Sequence, residues 1–240
     1  MLVVAWQVAN STGVLPERLL AAPTTVVDTA VELFRDGTLQ DAIGVSLQRA
    51  AIGFALGAAI GVVLAVLAGL SLLGEYVVDP PMQMLRTLPF YGLIPLLILW
   101  FGIGELPKIV LVAFGVAVPL YLNTFAGIRG VDGKLAEVAR VQQLSRLATI
   151  RHIVLPGALP QTLVGLRQSL GVAWLALIVA EQVNADAGLG FLINDAREFL
   201  RTDVIVVGLL VYSVLGLLTD AVVRLIERRA LVWRRGLLGS

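Results

Sequence analysis

Residues 50–74 have the sequence AAIGFALGAAIGVVLAVLAGLSLLG, which contains no charged side chain. An α-helix needs roughly 20 mostly apolar residues to cross the hydrocarbon core of a membrane, so this stretch predicts a membrane span. Further apolar runs follow at 87–104, 109–128, 161–181 and 204–219. We therefore predict an all-α integral membrane protein, a polytopic helical bundle with five full spans and a short, incomplete span at the N-terminus.

The composition agrees with this class of protein and excludes several functions. Hydrophobic residues make up 58% of the 240 positions and charged residues 15%, with a net charge of +1, so no basic surface for nucleic acid is expected. The chain has no cysteine and one histidine, His152, which excludes a disulfide, a thiolate nucleophile and a metal cluster built on cysteine or several histidines. We predict no metal and no cofactor bound by this chain.

Positive charge predicts the orientation, because short cytoplasmic loops are enriched in Lys and Arg. Basic residues cluster between Arg129 and Arg151 and in the tail from Arg224 to Arg235, so both segments are expected in the cytoplasm. The connections at 10–41 and 183–203 mix signs and are rich in Asp and Glu, as expected for the outside. Residues 1–240 are predicted to form one transmembrane domain.

Gly53, Gly57 and Gly61 recur at i, i+4 and i+8 on one face of the span at 50–74. Such a face allows two membrane helices to approach closely. We favour this interpretation over a general enrichment of membrane helices in small residues. The sequence does not identify the helix that packs against this face. The four residues ELPK at 105–108 predict a tight hairpin between the two spans that flank them.

Two ionisable residues interrupt the run at 161–181, with Arg167 near its start and Glu181 at its end. Charged groups at membrane depth commonly serve function, and an arginine facing a pathway could attract an anion. The alternative, which we favour for positions near helix ends, is that Arg167 extends to the inner interface and Glu181 to the outer one.

The external connection at 183–203 is too apolar for a solvated linker. Its stretch FLINDAREFL at 191–200 fits a short amphipathic helix, and Gly188 and Gly190 allow the chain to turn back before it. We predict a re-entrant or surface-lying hairpin, which is either a lid over the outer mouth of a pore or a packed cap. The pattern is formed by Phe191, Leu192, Asn194, Asp195, Phe199 and Leu200.

The most polar interruption is EVARVQQLSRLATIRHIVLPGALP at 137–160. Leu135, Val138 and Ala139 make a helical stripe at i, i+3 and i+4, and Ser145 can cap a second short helix that ends before LPGALP at 155–160. Two short helices at an angle are therefore expected in the cytoplasm. Their apolar side could enter a groove of a partner protein or lie on membrane lipid, and the residues alone leave both open.

This stretch resembles the EAA loop of ATP-binding-cassette importer permeases, whose pattern is Glu-Ala-Ala, three residues, Gly, and later Ile-x-Leu-Pro. The matching positions, with Gln143 in place of the glycine, are Glu137, Val138, Ala139, Gln143, Ile153, Leu155 and Pro156. In the family this glycine provides a bend in the loop. Its absence here is either compensated by a matching change in the ATPase partner, or the bend lies at Leu144 and Ser145 instead. Stretches at 83–105, 119–132 and 165–216 are similar to permeases for alkanesulfonate, taurine and nitrate import, most of all to the aliphatic sulfonate group.

The resemblance implies a type I importer permease whose coupling loop, 131–156, is received by a separate cytoplasmic ATPase. It implies a pair of permease chains, a pair of ATPase chains and an external solute-binding protein at the plasma (inner) membrane of a bacterium. This chain has no GxxxxGK[ST] phosphate loop, so ATP and Mg²⁺ belong to the partner and the chain is not an enzyme. The implied contacts with the ATPase are Glu137, Ala139, Arg140, Gln143, Leu144 and Ser145.

The predicted function is uptake of a small organic anion, first an alkanesulfonate, with taurine, nitrate or another small solute as alternatives. A passive channel or secondary carrier is expected to have charged residues at mid-membrane. The centres of the spans at 50–74 and 109–128 have no charged residue. A scaffold that only docks a soluble protein is a third class. The candidates for the pathway or a gate are Arg86, Arg167, Glu181, Asn184, Asp195 and Arg197, and Arg201 is also available to an anion.

Overall fold

The structure, a computed structural model, describes residues 1–17 and 19–232, and the side chains of these residues except Ala136 and Asn184. Arg234 and Arg235 of the basic tail and the side chain of the candidate Asn184 therefore lie outside the described residues. The described chain contains α1 Leu2–Ser11, α2 Pro23–Arg35, α3 Thr38–Gly69, α4 Leu72–Leu85, α5 Phe90–Phe101, α6 Glu105–Arg129, α7 Gly133–Val141, α8 Arg146–Thr149, a π-helical turn Ile150–Val154, α9 Leu155–Asn184, α10 Leu189–Glu198 and α11 Thr202–Ala230.

Four helices of the described chain are long and apolar enough to cross a membrane, namely α3, α6, the continuous helix Arg146–Val183, and α11. A fifth span requires α4 and α5 to be counted together, although they are bent by 107°. Pro89 lies at this break, and the residue before a proline is disfavoured in helical conformation. The single helix predicted at 87–104 is therefore wrong, since α5 has 12 residues and reaches only about 18 Å.

The connection between α5 and α6 also differs from the predicted hairpin at ELPK. Gly102 and Gly104 make the turn, with φ angles of 77° and 153°, which glycine adopts without a steric penalty. Glu105 to Lys108 form the first turn of α6. Pro107 is tolerated there because its missing N–H would have no helical partner in any case.

Residues 1–52, 90–112 and 174–217 form one compact unit. Its apolar core brings together α2, the start of α3, α10 and the start of α11. The helix predicted in the outer connection is present as α10, and it buries Leu189, Ile193 and Ala196 at i, i+4 and i+7. Phe199 and Leu200 were expected on the same apolar face, but they follow the end of the helix and are 71% and 79% exposed.

Residues 53–89, 113–173 and 218–240, over their described part, form a second compact unit. Here the glycine face of α3 lies against α6. A Cβ added to Gly57 would overlap the Ala113 carbonyl, and one added to Gly61 would lie 2.6 Å from the Ala117 carbonyl oxygen. Gly53 on the same face is buried, so small residues allow the close contact of the two helices.

Candidate functional site

The polar segment at 131–156 begins with α7. Asp132 caps this helix by accepting a hydrogen bond of 2.9 Å from the Lys134 N–H, which satisfies one of the unpaired donors of a helix start. Among the described side chains of 133–147, only Ala139 is buried, with 2% of its surface exposed. The segment therefore presents nearly all of its side chains outward, including those of Glu137 and Arg140.

The first short helix ends in a left-handed turn at Gln143, the glycine position of the resembled pattern. The φ angle of Gln143 is 52°. Its N–H bonds to the Arg140 carbonyl at 3.0 Å, and the Leu144 N–H bonds to the Ala139 carbonyl at 2.9 Å, which are the two bonds of a Schellman motif. The bend is therefore at Gln143 and is not displaced to Leu144 and Ser145. A side chain in this conformation costs about 1 kcal/mol.

Ser145 begins the second short helix, which confirms the predicted cap. Its hydroxyl accepts a hydrogen bond of 3.2 Å from the backbone N–H three residues later. The expectation that this helix stops before 155–160 is wrong, because the π-helical turn Ile150–Val154 joins α8 to α9. The Leu155 N–H bonds to the carbonyl of Ile150. This wider turn accommodates Pro156, which has no N–H and would clash in a regular α-helix.

Apolar side chains on the polar segment are uncovered in the single chain. Val141 and Leu147 are 83% and 75% exposed. Other exposed apolar side chains of the segment are Leu135, Val138 and Leu144. An exposed apolar group of this size with a polar rim is typical of a surface that contacts another protein or a membrane. Downstream, Leu155 is exposed, and Ile153 and Pro156 are half-buried.

A second candidate site is a buried cluster of charges within the unit 1–52, 90–112 and 174–217. The Arg49 guanidinium donates to Glu105 through Nε and Nη2, both at 2.6 Å, and to Glu181 Oε1 through Nη1 at 2.9 Å. Lys108 Nζ lies 3.0 Å from Glu105 Oε1. The side chains of Arg49, Lys108 and Glu181 are inaccessible, whereas that of Glu105 is 55% exposed. Two positive and two negative charges thus compensate each other, as burial requires.

The same cluster holds the start of α10 in place. Ser46 Oγ donates to Glu181 at 2.8 Å and accepts from the Leu189 N–H at 2.9 Å. The Gly190 N–H and the Tyr212 hydroxyl donate to Glu181 Oε2 at 2.8 and 3.1 Å. A Cβ added to Gly190 would lie 2.6 Å from the Glu181 Cβ. Glycine is therefore needed for the close approach of the first turn of α10 to Glu181.

The Glu181 side chain is buried in the protein and does not extend into solvent, which corrects the interpretation favoured from its place at the end of an apolar run. It is 1% exposed and paired with Arg49. The buried set of Arg49, Glu105, Lys108 and Glu181 was not predicted, since Arg49 and Glu181 are 132 residues apart. One feature of the sequence indicates such a cluster. Arg49, Lys108 and Glu181 each lie at an end of a different apolar run.

Arg167, another candidate for the pathway, is paired within the second unit. Its Nε lies 3.2 Å from Asp220 Oδ1, and its Nη2 lies 2.8 Å from Glu227 Oε2. These carboxylates offset its positive charge. The remaining candidates with described side chains are exposed, and they are Arg86, Asp195 and Arg197.

Comparisons with known proteins identify the family of the chain. Residues 57–232 match the family described as "binding-protein-dependent transport system inner membrane component". A protein of Bacillus subtilis (strain 168) described as an aliphatic sulfonates transport permease is 46% identical over 239 residues, which cover 100% of this chain and 87% of that protein. Its counterpart of the same description in Escherichia coli (strain K12) is 47% identical, over 97% of this chain and 88% of that protein. The taurine transport system permease protein of Escherichia coli (strain K12) is 33% identical, over 97% and 86%.

Solved structures share the fold. An amino acid ABC transporter matches 83% of this chain and 97% of its own with a TM-score of 0.69 and 17% identity. An inward-facing structure of the MetNI methionine ABC transporter matches 79% of this chain and 94% of its own with a TM-score of 0.51 and 19% identity. The family predicted from the polar segment and its flanking stretches is confirmed: the chain belongs to the inner membrane components of binding-protein-dependent transport systems.

Proposed function

We propose that this chain is the membrane-spanning permease subunit of an ATP-driven importer that passes a small organic anion, an alkanesulfonate, inward across the plasma membrane. The observation that carries the proposal is the exposed segment 133–147. Its helices have well-formed ends, yet apolar side chains such as Val141 and Leu147 are exposed. Such an element is suited to insertion into a groove of another protein. The two relatives described as aliphatic sulfonates permeases support the choice of substrate.

In this proposal the segment 131–156 is the coupling loop of a single transmembrane domain, and a separate ATPase subunit receives it. No flexible linker separates α8 from α9, because the π-helical turn joins them. A displacement of the loop would therefore be transmitted along a continuous helix to the span. Closure of an ATPase pair on ATP and Mg²⁺ would move two such loops together and turn the bundle from inward-open to outward-open.

The complete transporter would contain two copies of this permease, two ATPase chains and an external solute-binding protein. The basic segment 131–156 and the C-terminus face the cytoplasm, as the distribution of Lys and Arg favours. The connection 183–203 faces outward. The buried charges hold the start of α10 in place, so this connection offers the binding protein an ordered surface. The residues kept as candidates for the pathway or gate are Arg86, Arg167, Glu181, Asn184, Asp195 and Arg197.

The test compares two substitutions of equal chemistry at exposed apolar residues. Val141→Asp alters the coupling loop, and Phe199→Asp alters the outer connection as the matched control. Each variant is co-purified with its candidate ATPase in lipid, and ATP hydrolysis is measured with and without the binding protein. We expect Val141→Asp to reduce both ATPase association and stimulated hydrolysis at least tenfold, and Phe199→Asp to leave the association intact.

Two results would contradict the proposal in different ways. Unchanged association and hydrolysis in Val141→Asp would favour a loop that rests on lipid. Uptake of an alkanesulfonate into vesicles that contain this chain alone, without ATPase or ATP, would favour a passive channel or secondary carrier.

A further inference from the structure

One face of α9 carries exposed amide side chains where a membrane helix would ordinarily be apolar. Gln161 and Gln168 on this face are exposed, and Asn123 of α6 is half-buried. Gln161 Nε2 donates to Asn123 Oδ1 at 2.8 Å, and Asn123 Nδ2 donates to Gln168 Oε1 at 2.9 Å. These three side chains form a hydrogen-bonded row, which we call the amide row.

Two glycines bring the amide row together. A Cβ added to Gly165 would lie 2.7 Å from the Asn123 Cβ, and one added to Gly127 would lie 3.0 Å from the Gln161 Cβ. α6 and α9 therefore approach closely at these positions. The short side chain of Asn123 can then reach a glutamine on each side, so the row is built by the helix crossing.

Gln161 and Gln168 of the amide row lie within the helix Arg146–Val183, which is long and apolar enough to cross a membrane. With a rise of about 1.5 Å per residue, Gln161 and Gln168 lie roughly 9 and 20 Å along the helix from Leu155. Polar groups without partners cost several kcal/mol each in hydrocarbon, so an exposed row of amides is unsuited to contact with lipid tails. This face therefore belongs to a hydrated path or to a protein contact when the chain is in the membrane.

The direction of the hydrogen bonds leaves free donors at one end of the row. Asn123 Nδ2 uses its two hydrogens on Gln168 and on the Pro119 carbonyl at 2.8 Å. Gln168 accepts within the row, and within residues 1–17 and 19–232 its amide nitrogen has no acceptor. Bonds that run in one direction polarise the last donor of a chain, so the N–H groups of Gln168 are the strengthened ones.

We propose that the amide row holds the oxyanion headgroup of the solute during passage, with the amide N–H groups of Gln168 and the second N–H of Gln161 as donors. The ligand class is a monovalent oxyanion such as a sulfonate, and the proposal rests on the import function proposed above. Neutral donors suit a transit site, because the ion must bind and still leave. The adjacent Arg167 adds no uncompensated charge, since Asp220 and Glu227 pair with it.

The first test uses the complete transporter in proteoliposomes, with 1-butanesulfonate as the probe. Gln168→Glu keeps the shape of the side chain and places a negative charge where the headgroup would lie. We expect ATP-driven uptake to fall at least tenfold, while ATP hydrolysis stimulated by the binding protein stays within twofold of the unsubstituted value. The matched control is Gln48→Glu, at an exposed glutamine of α3 outside the row, which should change neither rate.

A second readout does not depend on uptake. The natural chain has no cysteine, so Val164→Cys, at an exposed position of α9 one turn before Gln168, introduces a single thiol beside the row and leaves its amide donors in place. We expect 1-butanesulfonate to slow the reaction of this thiol with an uncharged maleimide at least threefold in the assembled transporter, and 1-butanol to have no effect.

The outcomes separate this inference from the proposed function. Unchanged uptake in Gln168→Glu, together with equal labelling rates with and without 1-butanesulfonate, would overturn the amide row as the site. If the unsubstituted transporter shows no ATP-driven uptake, the proposed function fails, whereas protection of the thiol would still support the site. Where Gln168→Glu does not assemble, the labelling result decides.

Discussion

At the residue scale, the buried carboxylate of Glu181 accepts hydrogen bonds from four groups. They are the Arg49 guanidinium, the Ser46 and Tyr212 hydroxyls and the Gly190 N–H. We expect Glu181→Gln to lower the free energy of unfolding by about 3–5 kcal/mol, because a buried guanidinium loses a charged partner. Glu227→Gln makes the same change in a pair with Arg167 whose two side chains are both part-exposed and should cost about 1 kcal/mol or less. Thermal unfolding in detergent, followed by circular dichroism, compares them, and equal losses would contradict the assigned burial.

Gln143 carries a second prediction at the residue scale. Gln143→Gly removes the penalty of a side chain in a left-handed turn, about 1 kcal/mol, so the amides of Gln143 and Leu144 should exchange hydrogen more slowly. Gln142→Gly is the matched control, because its φ of −78° is ordinary and glycine there only adds freedom to the unfolded chain. Hydrogen exchange of both amides should become faster in that variant. A faster exchange in Gln143→Gly as well would show that the Schellman turn is absent in solution.

At the scale of the element, α3 contains glycines with opposite surroundings. A Cβ at Gly57 would overlap the backbone of α6, whereas one at Gly44 would meet no atom within 4 Å. We expect Gly57→Ala to destabilise the protein by about 1–3 kcal/mol through overpacking. Gly44→Ala should stabilise it by about 0.5–1 kcal/mol through helix propensity. The midpoint of thermal unfolding should therefore move in opposite directions, and a shared direction would contradict the close contact of α3 and α6.

The polar segment illustrates, at the same scale, how far local sequence predicts an element. The caps at Asp132 and Ser145 depend on side chains that bond to backbone two or three residues away, so Ser145 was identifiable as a cap from the sequence. The continuation of α8 into α9 was not, because a proline ordinarily interrupts a helix. Here a π-helical turn places the chain so that Pro156 is tolerated.

At the scale of the whole molecule, the distribution of basic residues predicts the topology. We expect Asp195→Cys to react with a membrane-impermeant maleimide in intact cells and Lys134→Cys to react only after the membrane is permeabilised. The chain has no natural cysteine, so each variant reports one position. The unsubstituted chain is the control for background labelling. Equal reaction of both variants in intact cells would contradict an external 183–203 and a cytoplasmic 131–156.

The sequence by itself determined the membrane class, the family and the position of the polar segment at 131–156. Long uncharged runs, capping residues and a short motif are local patterns, and each acts within a few residues of chain. Only the tertiary structure decided which helices touch, where α4 bends into α5, and that Arg49 and Glu181 meet across 132 residues. It also decided that Asn123 lies between Gln161 and Gln168. The physical reason is that such contacts depend on helix crossings, which are set by the packing of glycine faces and buried charges from distant parts of the chain.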